Sequence, residues 1–231
     1  MTTPRPARVG LLAPMPSEMK PLAKACGLTR DEAARQYRGS LGGIELVGAR
    51  TGMGTQNAAD ATERLLDSGE FDHVMVVGIA GGMGPSKVGA VLFPEIVVDK
   101  DSGIEYRAEP LRGIEPRGKL VTHDDFDMGD EEHQRLVREG FLAVDMETAA
   151  VARVCDKRGV QWSAVRSISD LVGVTPGDVI DLANPDGTPN IKASLSYLVK
   201  HPNRIPKLAR LARESTQAAN NAALAAAIAL Q

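Results

Sequence analysis

Cysteine is nearly absent from this chain: Cys26 and Cys155 are the only two in 231 residues. One disulfide at most could form, and neither thiol stands at metal-ligand spacing, so a disulfide scaffold and a zinc ribbon are both excluded. No metal is expected, and a reduced, cytoplasmic setting is the simpler expectation. Aromatic residues are few, at 3%, which makes a Phe beside a polar motif worth noting. There is no excess of basic residues: 27 Lys and Arg against 30 Asp and Glu give a net charge of -3, without the electrostatic footprint of a nucleic-acid binder. A long apolar run is also lacking. The most apolar stretch, Ala222 to Leu230, is Ala-rich and short for a membrane span. It reads as the end of a surface helix, and no membrane partner is expected. The N-terminus, with Pro4 and Pro6, has no apolar signal region, and residues 1–7 are expected to fray.

What remains is ordinary globular composition, 43% hydrophobic and 25% charged. The length permits one large domain or two small ones, and no linker, repeat or low-complexity tract divides it, so residues 1–231 read as one domain. Val9 to Ala13 reads as a strand closed by Pro14-Met15-Pro16, and Ser17-Glu18-Met19 opens a helix ending near Gly27. Strands are expected at Ile44–Ala49, His73–Val77, within Val88–Val98, at Lys119–Thr122, Leu142–Val144 and Trp162–Ile168. Helices are expected at Asn57–Leu66, where Ala58, Ala61, Leu65 and Leu66 share a face, and at Glu147–Lys157. Alternating strands and helices predict an α/β domain with a largely parallel sheet covered on both sides. Residues 171–190, rich in Gly, Pro and Asp, are expected to be a functional loop, because structureless loops of that length are seldom idle. Two C-terminal helices, Ile191–Val199 and Ile205–Leu230, follow within 191–231.

The stretch "VVGIAGGMG", Val76 to Gly84, places four glycines after an apolar run, as a phosphate-binding turn would. A dinucleotide fingerprint, however, needs a helix directly after its third glycine. Here Pro85-Ser86-Lys87-Val88-Gly89 leads into β-like sequence, while "GMGTQN" at Gly52–Asn57 has Asn where the third glycine belongs. A Rossmann site is rejected, and no cofactor is expected.

Three acids lie where open α/β sheets bind ligands, beyond the carboxyl ends of strands: Glu18, Glu147 and Asp170. Each alone is equally a solvated acid or a helix cap. Arg166, set within Ala164-Val165-Arg166-Ser167-Ile168, is more telling, since a buried guanidinium needs an anion. Glu18 or Asp170 would serve.

The blocks "VGLLAPMPSEM", "TGMGTQNAA", "VVGIAGGMGPSKVGAVLFPEIVV", "AVDMETAAVARVC" and "AVRSISD", in this order from Val9 to Asp170, resemble the purine nucleoside phosphorylase/hydrolase superfamily. Within it they are most similar to the 5'-methylthioadenosine/S-adenosylhomocysteine nucleosidases. The resemblance implies one α/β domain around a mixed, barrel-like sheet, a homodimer, and a small purine nucleoside as the only substrate partner. It implies that Asp170 donates a proton to N7 of the purine, so that the base does not leave as an anion. Glu18 would deprotonate the attacking water, with Arg166 holding that water and orienting Glu18. Glu147 would accept the ribose hydroxyls above Met146, and Phe126 would stack on the base, although Phe and Met are also ordinary core residues. Met15 and Met53 would form apolar walls, Ala80 and Gly81 would lie beside base and sugar, and Asp127 and Ser169 complete the implied binding set.

Phosphate users of this fold commonly place an Arg before the glycine stretch and a hydroxyl within it. Here Val76-Val77-Gly78-Ile79-Ala80 offers neither, and a phosphate dianion facing Val and Ile is poorly compensated. Thr51 and Arg166 stay available as donors. Hydrolysis is favoured, with a phosphorylase, including the hopanoid-associated type, or a futalosine hydrolase as the alternative. An inactive nucleoside-binding protein is the alternative from outside enzymes. The sequence departs from the nucleosidases at Ile79, where a hydroxyl residue is usual, in a short Val97–Gly118 segment and in a long loop after Asp170. The first implies one polar contact fewer near the water or ribose, and the other two bear on the 5' side of the pocket.

Overall fold

Val9 to Ala13 is buried without a break, the burial of a strand covered by helices on both faces. The computed structural model describes residues 6–109, 114–125, 128–172, 184, 186–188 and 190–231. In chain order these form β1 (Arg8–Ala13), α1 (Pro16–Ala25), β2 (Thr29–Asp31), β3 (Gln36–Leu41), β4 (Ile44–Arg50), α2 (Thr55–Asp67) and β5 (His73–Gly82). There follow β6 (Val91–Leu92), β7 (Ile96–Asp99), β8 (Glu105–Arg107), β9 (Lys119–Thr122), α3 (Asp130–Arg138) and β10 (Phe141–Asp145). The chain then gives α4 (Thr148–Arg158), β11 (Gln161–Leu171), α5 (Ile191–Lys200), a short 3-10 turn at Pro202–Arg204 and α6 (Ile205–Ala229).

All eleven strands belong to one mixed sheet, in the order β2-β3-β4-β1-β5-β10-β9-β7-β8, with β11 added on β5 and β6 on β11. β5 is the pivot. It runs parallel to β11 from His73 to Gly82, and its other edge serves β1 up to Val76 and then β10, antiparallel, at Gly81 and Gly82. One long strand thus joins two wings of the sheet, which gives the barrel-like curvature. The glycine stretch read as a turn after Val77 is instead the upper half of β5. Its glycines let three strands and the side chains above them crowd one segment.

Alternation along the central strands sorts the core into two layers. Val74, Val76, Trp162 and Ala164 face Leu65 and Ala150 of α2 and α4, while Met75, Val77 and Val165 face Met19, Leu22 and the alanines of α6. Ala218, Ala219, Ala222, Ala223, Ala226 and Ala227 are all buried. The Ala-rich stretch is therefore a packing stripe, whose small side chains let α6 lie close on α1 and the sheet. At the N-terminus, Asp72 accepts the backbone N–H groups of Ala7 and Arg8, both at 2.8 Å, so the expected fraying does not reach Ala7. Residues 1–5 and most of the 171–190 loop lie outside the described residues.

Candidate active site

The site forms where β1, β5, β10 and β11 end. Proline on both sides of Met15 stops β1 and starts α1. In the first turn Glu18 reaches back to accept Met15 N–H at 2.8 Å, the carboxylate half of a capping box. Its other oxygen accepts Ile79 N–H from β5, also at 2.8 Å. Glu18 is 3% exposed. Burial pushes its pKa up to about 7, against the pull of Arg166 and the two backbone N–H groups.

Arg166 is completely buried on β11. Its Nη2 lies 2.5 Å from Asp145 Oδ2 and 3.4 Å from Glu147 Oε2. Nε and Nη2 also donate to Thr148 Oγ1 at 3.2 and 2.9 Å, and Nη1 reaches Ile79 O at 3.4 Å. The guanidinium is thereby fixed along two edges. Gly78 explains what the remaining edge faces: a Cβ added there would collide with both Glu18 Oε1 and Arg166 Nη1. The base candidate and the cation converge over one glycine, whose missing side chain lets both approach β5 closely.

Glu147 sits at the N-cap of α4, where its Oε1 accepts Gly54 N–H at 3.1 Å. Gly54 has φ of +92°, a conformation that glycine adopts without strain. Burial, only partly offset by Arg166, holds the Glu147 carboxyl well above the usual carboxylate range. Asp124 fixes the neighbouring helix start, accepting Thr55 N–H at 2.8 Å and the Thr55 hydroxyl at 2.6 Å.

Asp170 occupies the last turn of the ladder. Ile168 pairs with Ala80 and Asp170 with Gly81, so Ser169 is the extra residue of a β-bulge. Bulges break the side-chain alternation and re-aim the side chains beyond them. Here Ser169 Oγ lies 2.6 Å from Asp170 Oδ1 and 3.3 Å from Ala80 O. Glu18 thus meets β5 at Ile79 through its carboxylate, and Asp170 meets it at Gly81 through backbone pairing.

Of the other residues implied by the sequence, Ala80 is buried and Gly81 half-buried beside Val144. Met15, Met53 and Met146 are half-buried at the ends of β1, β4 and β10. Phe126 and Asp127 lie outside the described residues. Gly187, within the expected loop, is seated against Met15, which brings that loop to the mouth of the site.

The buried arginine's nearest anion is Asp145, not Glu18 or Asp170 as the strand sequence suggests. Sequence reasoning misses Asp145 and Thr148, although both stand in "AVDMETAAVARVC". Asp145 accepts the Thr122 hydroxyl at 2.7 Å and the backbone N–H groups of Glu147 and Thr148 at 3.4 and 3.3 Å, and the Thr148 hydroxyl donates to it as well. An acid followed three residues later by Thr at a helix start carries the capping signal. At the opposite end of the sheet, a cavity of about 630 Å³ is lined by Arg8, Phe71, Asp72 and Arg158 among others. Its arginines are already engaged, Arg8 by Glu45 and Arg158 by Glu63 and Asp67. Among the described residues no group of three His, Cys, Asp or Glu side chains is placed to hold a metal ion.

The chain is similar to known proteins over most of its length. The profile of the Phosphorylase superfamily matches residues 8–113 and 115–195. The 5'-methylthioadenosine/S-adenosylhomocysteine nucleosidase of Geobacillus kaustophilus is 32% identical over 171 residues, 61% of this chain and 73% of the relative. Among solved structures, the nucleosidase of that kind from Neisseria meningitidis, in complex with methylthio-immucillin-A, superposes with a TM-score of 0.71 at 21% identity, over 96% of this chain and 98% of that one. The futalosine hydrolase of Helicobacter pylori gives 0.70 at 20% identity, over 96% of each chain. The shared architecture therefore does not choose among substrates.

Proposed function

The chain belongs to the phosphorylase superfamily, and from that premise we propose that it hydrolyses the N-glycosidic bond of an adenine-type, 5'-modified purine nucleoside, such as 5'-methylthioadenosine or S-adenosylhomocysteine, and releases the free base. The carrying observation is the pairing of buried Glu18 with Arg166 across Gly78. A carboxyl group held near pH 7 is matched to deprotonating water at neutral pH, where both the free base and a useful driving force are present.

In this mechanism the attacking water is held by Glu18 and Arg166. Glu147 receives the ribose hydroxyls, with Met146 beneath the sugar. Asp170 delivers a proton to the purine as the C1'–N9 bond lengthens, so the positive charge building on the sugar is not opposed by an anionic leaving group. Water attacks C1', its proton passes to Glu18, and the products are free base and the unphosphorylated sugar. Phe126 stacks on the base with Asp127 nearby. Ala80 and Gly81 lie beside base and sugar, Met15 and Met53 wall the apolar side, and Ser169 orients Asp170. The loop at residues 171–190 bears on the choice of 5' group. The chemistry needs no cofactor, and the working unit is a cytoplasmic homodimer.

A panel of 5'-substituted adenine nucleosides, scored for free base, tests this reading. Turnover of 5'-thioether substrates supports it. Turnover of futalosine alone, or tight binding without base release over long incubation, rejects it in favour of a futalosine hydrolase or an inactive binder.

A further inference from the structure

The segment 191–213 holds six of the chain's 27 basic residues and none of its 30 acids, on a molecule that is acidic as a whole. Lys192, Lys200, Arg204, Lys207, Arg210 and Arg213 carry the charge. The structure puts the last four at the start of α6. Between Lys200 and Gln217 no residue is buried, and the alanine stripe that seats α6 on the body begins only at Ala218. Over this part α6 is only half-covered: Leu208, Leu211, Glu214 and Ser215 are half-buried on the side that continues the stripe, and the other residues are exposed.

This part is two-sided. On its free side Ile205, Ala209 and Ala212 share one exposed face at i, i+4, i+7 spacing. Arg213, Arg210 and Lys207 follow in turn around the helix, so the cations border this face along one flank. Ile205 is 45% exposed, and the helix spends no core residue on this half. Arg210 is paired along the helix with Glu214 at 2.8 Å. Arg204 is turned toward Tyr197, its guanidinium 5.8 Å from the ring. The N-terminal end of α5, capped by Asn190, follows closely on Gly187, which touches Met15.

We propose that the first half of α6, with the basic end of α5, docks on an anionic lipid bilayer and lies in the plane of its headgroups. Charge complementarity selects this occupant. A second copy would bring the same cations face to face. Nucleic acid would use the cations but leave Ile205, Ala209 and Ala212 in water. A headgroup interface accepts both, with apolar side chains at the acyl boundary and Lys and Arg on the phosphates. The absence of a helix long and apolar enough to span a membrane among the described residues does not bear on this mode, which needs amphipathicity and not length.

Sedimentation of the whole protein with vesicles of pure phosphatidylcholine, and of phosphatidylcholine with about 30% phosphatidylglycerol, tests the proposal. Binding is expected to the anionic vesicles only, and to weaken as salt rises. The exposed triple variant Lys207→Gln, Arg210→Gln, Arg213→Gln should lose roughly a hundredfold in partitioning, on the order of fivefold per charge. Its circular dichroism and melting temperature should match the parent, since none of the three touches the core. Ile205→Ser should weaken binding at unchanged charge. Equal partitioning to both vesicles, no partitioning, or an undiminished triple variant overturns the proposal, as does a parent that binds RNA or an acidic peptide more tightly than the vesicles. None of these readouts depends on the nucleoside chemistry.

Discussion

Charge is handled in opposite ways in two parts of this molecule. In the active site one guanidinium, Arg166, is surrounded by the carboxylates of Asp145, Glu147 and Glu18, all of them buried. At the start of α6 several cations stand in solvent with few anions near them. The first arrangement is costly to build, since each desolvated charge must be paired and hydrogen-bonded. It gives perturbed acidities and fixed directions, which is what catalysis needs. The second costs almost nothing in stability and yields only a field, which suits recognition of an extended anionic surface.

The comparison can be broken most forcefully at the acid. Asp170→Asn keeps the shape of the bulge and its Ser169 contact but cannot donate the proton. Base release is expected to fall by roughly 10²–10⁴-fold, with an unchanged melting curve. Near-normal turnover would remove Asp170 from the chemistry. Next, Arg166→Met leaves buried carboxylates without their cation. A destabilisation of about 3–5 kcal/mol in urea unfolding is expected, whereas Lys207→Gln should shift stability by no more than about 0.5 kcal/mol.

Glu18→Gln sharpens the comparison through pH. The folded-state pKa of Glu18 is raised from 4.5 to about 7, so the folded protein binds more protons than the unfolded chain between these values. Stability from this group is full below pH 4.5 and is lost as pH rises toward 7. The variant should therefore lose that part of the decline, gaining on the order of 3 kcal/mol relative to the parent at about pH 8. Catalysis runs the other way. The parent rate should climb through about pH 7 as Glu18 ionises, and the variant should lack that limb. The smallest effect is expected at Thr148→Val, which keeps the shape and removes the hydroxyl between Arg166 and Asp145. A kcat loss of about tenfold with little change in KM is expected, the measure of one hydrogen bond to a charged group. An unchanged kcat would mean that Asp145 alone aims the guanidinium.

Much of the fold is legible because the central strands are written as apolar runs. Val9–Ala13, Ile44–Ala49, Lys119–Thr122 and the start of β11 fall where periodicity places them. The elements that escape such a reading have weak patterns: β2 and β3 form a largely exposed hairpin, and α3 buries only Leu136. The upper half of β5 reads as a turn because its glycine-rich stretch has a turn composition. Only the tertiary crowding of β10, β11, Glu18 and Arg166 around it keeps that chain extended. In the site, the residues that the family pattern names are readable directly, while Asp145 and Thr148 are not, because their work is done on Arg166 and not on a ligand.

Water, and not phosphate, is the nucleophile of the proposed reaction. Turnover of 5'-methylthioadenosine in phosphate-free buffer and in buffer with inorganic phosphate, with the sugar product identified in each, tests it most directly. The account expects free adenine and unphosphorylated methylthioribose at the same rate in both. Base release that requires phosphate and yields a sugar 1-phosphate would contradict it.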